Sequence, residues 1–141
     1  MSDIGGERPR WFMPAALAVL AFEALGCFMC ASQLSVDPAL LEPDQRLMWE
    51  AAPAWMLAAY VVAVVIGLVG AVLLVMKRRS AEPLLLVSFL AVIVQFSALL
   101  VVPAMRNLTG SDDLFLPFVI ILCAYGAWHL ARIGRQRGWL R

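Results

Sequence analysis

The stretch PAWMLAAYVVAVVIGLVGAVLLVM, residues 53–76, decides the fold of this chain. It carries no charge over more than the roughly 20 residues that an α-helix needs to cross the hydrocarbon core of a bilayer. Similar apolar stretches occupy about 11–34, 83–102 and 114–133. Because 63% of the 141 residues are hydrophobic and only 15% are charged, the sequence predicts an all-α membrane protein, a bundle of four transmembrane helices.

The connections between these spans are short. The longest, roughly 35–52, is too small to be a domain of its own, so we expect residues 1–141 to form one transmembrane domain. Within it, the segment PDQRLMWEA places a proline and acidic residues before an apolar side, a pattern typical of a helix start. It predicts a short surface helix in the first outer loop, either anchored at the interface or covering a central cavity.

The basic residues predict the orientation of the chain, because cytoplasmic loops of membrane proteins are enriched in Lys and Arg. Only Arg46 and Arg106 would face the outside, where the loops are otherwise acidic. Both termini are therefore expected in the cytoplasm. The residues on the cytoplasmic side would be Arg8, Arg10, Lys77, Arg78, Arg79, Arg132, Arg135, Arg137 and Arg141.

The second span carries small residues at four-residue intervals. Residues at this spacing share one face of a helix and allow two backbones to approach closely. The face predicts helix packing, either within the chain or against a second copy in a homo-oligomer. Its members are Ala59, Ala63, Gly67 and Ala71.

Glu23 is the acidic residue closest to the middle of a span. A charge there costs roughly 2.5–3.5 kcal/mol on insertion scales, so the side chain should face the bundle and be neutral or hydrogen-bonded. Counted along their spans, Gln95 and Tyr125 fall at a similar depth. Two roles follow. Glu23 and Gln95 form a hydrogen-bonded clamp, or Glu23 binds a proton or cation during transport on a path lined by Tyr60, Gln95 and Tyr125.

Cys27 and Cys30 form a C-x-x-C pair inside the first span. A redox couple needs a setting that favours the thiolate, such as a helix N-terminus or a nearby cation, and this apolar helix offers neither. Small packing residues are the preferred interpretation, and a membrane thiol oxidoreductase is the alternative. A metal site with Cys123 would need a fourth ligand, and His129 lies toward the opposite face. We expect no enzyme activity, metal or cofactor.

Residues 43–96, PDQRLMWEAAPAWMLAAYVVAVVIGLVGAVLLVMKRRSAEPLLLVSFLAVIVQF, carry a Pro-Ala-Trp that opens a span and a glycine-containing apolar run before a basic turn. Together with the later RGWL, they resemble a family of small uncharacterised bacterial four-span inner-membrane proteins, some of which are labelled sugar transporters. The resemblance implies a four-helix fold and a bacterial inner-membrane location, and it implies no substrate.

The FEALG step, residues 22–26, is also similar to the first helix of small multidrug resistance transporters, which are four-span chains with a glutamate at this place. That family has tighter loops and inserts in two orientations, whereas the basic residues here predict one. The preferred hypothesis is a non-enzymatic accessory or interaction component, and the alternative is a small proton-coupled transporter. For the chain as a whole, the expected partners are the lipid bilayer and a further protein or a second copy, and no nucleic acid is expected.

Overall fold

A computed structural model describes residues 7–141 of the chain. Within this range the secondary structure is helical, with two single-turn 3-10 helices, Pro38–Leu40 and Asp112–Leu114, in the loops. Four of the α-helices are long and apolar enough to cross a membrane. The predicted all-α bundle with four spans is thus confirmed. The α-helices are α1 (Phe12–Leu34), α2 (Pro43–Ala51), α3 (Ala54–Val75), α4 (Ala81–Val101), α5 (Pro103–Leu108) and α6 (Phe115–Gln136).

Proline and glycine positions explain where α4 and α6 begin and end. Helix α4 starts at Ala81, two residues before the predicted span, because Pro83 lies in the first turn, where its missing N–H costs no hydrogen bond. It ends at Val101, since Pro103 forces Val102 into an extended conformation. Helix α6 continues to Gln136 and is closed by Gly138, whose φ is +74°. The N–H of Trp139 then donates to the carbonyl of Gly134 at 2.8 Å, the bond of a Schellman cap.

The four long helices pack in the order α1, α3, α4, α6. Helix α3 lies between α1 and α4, and α4 also packs on α6, while α1 and α6 touch little. An apolar groove of about 480 Å³ therefore runs between α1 and α6, with Phe22, Gly126 and His129 among its lining residues. The bundle is thus held together mainly through α3 and α4.

One end of the bundle, which we call the basic end, contains the α3–α4 turn with its three basic residues and is closely packed. Phe12, Leu74, Leu85 and Leu140 are all completely or almost completely buried there. Gly134 makes room for this cluster, since a Cβ on it would lie 3.2 Å from Leu140 and 3.3 Å from Phe12. The basic end is therefore closed by side chains from every long helix and from the segment after α6.

The segment Gly138–Arg141 is bound to the α3–α4 turn by its main chain. The N–H of Arg141 donates to the carbonyl of Lys77 at 2.6 Å, and the N–H of Arg79 donates to the carbonyl of Arg141 at 2.9 Å. Trp139 is 8% exposed and contacts Phe12 edge to face. The composition of this segment, a tryptophan among arginines, suits the membrane interface, yet the structure packs it onto the bundle.

The opposite end, the acidic end, is open. Helix α2 is the predicted short helix of the first loop, and its Met48 packs against Ala98, Leu99 and Met105. Between α2, α5 and the ends of the long helices lies a cavity of about 1140 Å³, which we call the vestibule. Helix α2 thus forms part of the vestibule wall.

Candidate functional site

Glu23 lies where α1, α3 and α4 meet and is only 5% exposed. Its carboxyl occupies the space above Gly67 of α3, since a Cβ on that glycine would lie 2.6 Å from Glu23 Cδ. Ser88 of α4 faces the same point, with its Oγ 2.7 Å from that Cβ position. The Ser88 hydroxyl donates to the carbonyl of Ala63 at 2.7 Å. We call Glu23, Gly67 and Ser88 the carboxyl seat.

The small-residue face of α3 builds this seat. Ala63, Gly67 and Ala71 are buried against α1 and α4, while Ala59, nearer the acidic end, is partly exposed. On the α1 side, a Cβ on Gly26 would lie 3.3 Å from Val64. The face therefore packs within the chain, where close helix approach leaves space for one carboxyl group and little else.

The contacts between helices also fix the depth of each polar residue. Glu23 is level with Ser88, and Gln95 follows Ser88 by seven residues on α4. Seven residues of helix rise about 10 Å, so Gln95 lies two turns nearer the acidic end. The difference in depth arises because the two helices begin at different levels. Glu23 lies eleven residues after the start of α1, whereas Ser88, at the same level, lies seven residues after the start of α4. The structure therefore does not bring Glu23 and Gln95 together.

Gln95 and Tyr60 instead lie at the floor of the vestibule. Gln95 is 7% exposed, and no hydrogen bond to its amide is found among residues 7–141. Tyr60 is partly buried and lines the same cavity. These two candidates share one site, which is separate from the carboxyl seat.

Tyr125 lies outside both sites. It is 44% exposed on α6 and packs against Phe89 at 5.8 Å and His129 at 5.7 Å between ring centroids. The expected path lined by Tyr60, Gln95 and Tyr125 is therefore not formed. Spacing along α6 could not reveal this, because it does not show which face of the helix turns toward α4.

The cysteines are dispersed over different surroundings. The Cys27 thiol donates to the carbonyl of Val64 at 3.2 Å, Cys30 is buried, and Cys123 is exposed beside the groove between α1 and α6. In the described part of the chain, no group of three or more His, Cys, Asp or Glu residues is placed to hold a metal ion. The Cys27 thiol thus serves α1–α3 packing.

Sequence reasoning did not identify the acidic lining of the vestibule as part of a site. Asp44 and Glu50 come from α2, and Asp113 comes from the loop before α6. The excess of acidic residues in the loops at this end was the available signal, but only the fold shows that these residues converge on one cavity. A scan against protein-family models and searches of curated proteins and solved structures find no match to this chain.

Proposed function

We propose that this integral membrane protein is a non-enzymatic accessory or interaction component of the bacterial inner membrane, with both termini in the cytoplasm. The single observation that carries the proposal is the closed carboxyl seat. Glu23 is packed between three helices, against the backbone of Gly67, and it does not line the vestibule. Its position favours a role in holding α1, α3 and α4 together.

A carboxylate that couples transport must meet water from both sides of the membrane in turn. Toward the basic end, the cluster of Phe12, Leu74, Leu85 and Leu140 lies between Glu23 and the aqueous phase on that side. Toward the acidic end, the vestibule floor at Gln95 is two turns away. Movement of an ion through Glu23 would require both layers to separate, and the main-chain bonds of Arg141 oppose this at the basic end.

One observation favours a second candidate, a small proton-coupled transporter. The vestibule enters the bundle from the acidic end and reaches Tyr60 and Gln95, as an outward-facing substrate site would. In that function, Glu23 would bind the ion once the seat opened, and the closed structure would be one of two alternating states.

Cysteine accessibility separates the two functions. Glu23→Cys and Gln95→Cys are each made in a chain whose three native cysteines are replaced by alanine, and both are exposed in lipid vesicles to a small thiol reagent. We expect Gln95→Cys to react from the acidic side and Glu23→Cys to remain unmodified from either side. Reaction of Glu23→Cys from both sides would contradict the proposal and support transport.

The neutral isostere gives a second test of the same point. We expect Glu23→Gln to change the free energy of unfolding by less than about 1 kcal/mol, because the amide fills nearly the same volume. Glu42→Gln, at an exposed position just before α2 that does not line the vestibule, is the matched control for loss of one carboxylate. If a proton flux is present in vesicles and is abolished by Glu23→Gln but retained in Glu42→Gln, the accessory role is wrong.

A further inference from the structure

The vestibule is large enough to hold a small molecule. Its volume of about 1140 Å³ is somewhat above the roughly 300–1,000 Å³ of typical ligand sites. The mouth is at the acidic end, and the floor lies between α3 and α4 at Tyr60 and Gln95. A ligand could therefore enter from the aqueous side and have its far end held within the bundle.

The charge around the mouth selects the sign of the ligand. Asp44, Glu50 and Asp113 line the vestibule, and none of its lining residues in the described chain is Lys or Arg. Glu50 is paired with Arg46 at 3.0 Å, so of these three lining carboxylates Asp44 and Asp113 have no ion pair in the described chain. A cleft with one sign of charge raises the local concentration of oppositely charged ligands. The vestibule therefore favours a cation.

An independent feature of the floor points to a bound polar group. Gln95 is 93% buried as a residue, since its exposed fraction is 7%, and it lines the vestibule without a hydrogen-bond partner for its amide in residues 7–141. The amide is not among the side-chain polar atoms that are cut off from solvent, so it can bond a polar group that enters the vestibule. A ligand group that both donates and accepts hydrogen bonds, such as an amide or a hydroxyl, would satisfy the Gln95 amide.

The vestibule lining also contains apolar side chains that can adapt to a ligand. Trp49 offers an aromatic surface, and Met48, Met56 and Met105 offer flexible thioethers. Methionine side chains can pack around ligands of different shape, and an aromatic face attracts a cation. These walls suit a ligand with an apolar or aromatic body.

We propose that the vestibule binds a small organic cation with an apolar body, whose charged group lies near Asp44 and Asp113 and whose amide or hydroxyl group bonds Gln95. This inference goes beyond the proposed function and does not depend on whether Glu23 moves an ion. The chain would then take up its ligand from the acidic side of the membrane.

Two probes with the same aminobenzamide body test the charge requirement. Procainamide carries a protonated amine and p-aminohippurate carries a carboxylate. With the full chain in lipid nanodiscs, calorimetry should detect procainamide with a Kd of about 1 mM or tighter, and p-aminohippurate at least about tenfold weaker. Equal binding of both probes, or no binding of procainamide at about 10 mM, would overturn the proposal.

Variants of the floor and mouth test the geometry. Gln95→Leu should weaken procainamide binding by about three- to tenfold, because one hydrogen bond to the ligand is lost. Gln136→Leu, at the basic end, is the control and should leave procainamide binding unchanged. Asp44→Asn combined with Asp113→Asn should weaken binding and reduce its salt dependence. Thermal unfolding of each variant shows whether it is folded. We expect the Tm of Gln95→Leu to be no lower than that of the unsubstituted chain. If a folded Gln95→Leu binds like the unsubstituted chain, Gln95 does not hold the ligand and the proposed site is wrong.

Discussion

Substitution of Gly67 by alanine tests the carboxyl seat directly. The new methyl group would lie 2.6 Å from Glu23 Cδ and 2.7 Å from Ser88 Oγ, about 1 Å closer than an ordinary contact between such atoms. Neither side chain can move into solvent, because Glu23 is 5% and Ser88 2% exposed. Overpacking of this kind costs about 1–3 kcal/mol, whereas alanine gains about 1 kcal/mol in helix propensity. We expect a net loss of up to about 2 kcal/mol.

The matched control is Gly126→Ala on α6. A Cβ there meets nothing within 4 Å, so this variant gains the helix propensity without the overpacking. Unfolding free energies measured by denaturant titration in mixed micelles should therefore differ by about 1–3 kcal/mol between the two variants, with Gly67→Ala the less stable. The difference is informative because both variants add the same methyl group to a spanning helix.

A second substitution locates the cause of the loss. In a Glu23→Ala background the carboxyl is gone, so Gly67→Ala should regain at least about 1 kcal/mol of its penalty. If Gly67→Ala is as stable as Gly126→Ala, or if Glu23→Ala rescues nothing, the carboxyl does not occupy the space above Gly67. The closed seat, and the accessory role that rests on it, would then fail.

Three further predictions concern the basic end and the orientation. Lys77 has a φ of +61°, so Lys77→Gly should raise the free energy of unfolding by about 1 kcal/mol. Gly138 has a φ of +74°, so Gly138→Ala should lower it by about 1–2 kcal/mol. Equal effects of the two substitutions on thermal unfolding would show that these positions do not have left-handed backbone conformations. Leu140→Ala should lower the free energy of unfolding by about 2–4 kcal/mol, because Leu140 is completely buried. Leu90 is exposed, so Leu90→Ala should lower it by less than about 1 kcal/mol. Similar losses for the two variants would show that Gly138–Arg141 does not pack onto the bundle. A phosphatase reporter that is active only outside the cytoplasm should be inactive when fused after Arg141 and active when fused after α2, and the reverse result would overturn the orientation.

The fold follows from sequence because hydrophobic length is a strong signal in a membrane. Residues 53–76 predict α3, which spans Ala54–Val75, and residues 11–34 predict α1, which spans Phe12–Leu34. Helix α2 was likewise predicted from its proline and acidic start. The short helix α5 was missed, since its six residues, Pro103–Leu108, are too few for a periodic pattern that distinguishes a turn of helix from a loop.

The site was less predictable, because it depends on how the helices are staggered. Depth counted along each span placed Gln95 with Glu23. In the structure, Glu23 and Ser88 instead face the same point above Gly67, so α1 begins about one turn farther toward the basic end than α4. Likewise, the side of α6 that carries Tyr125 is set by packing against Phe89. In both cases the deciding contacts are between distant parts of the chain, which residue spacing does not encode.

The cluster at the basic end joins residues that are made at very different times during synthesis. Phe12 enters the membrane with the first span, whereas its neighbour Leu140 follows the last helix. Such a distant pairing forms only after the intervening elements are in place. Insertion of four spans and completion of the bundle are therefore separate events in biogenesis. A ribosome that stalls before Gly138 would leave a fully inserted chain whose basic end is unfinished and open to quality-control proteases.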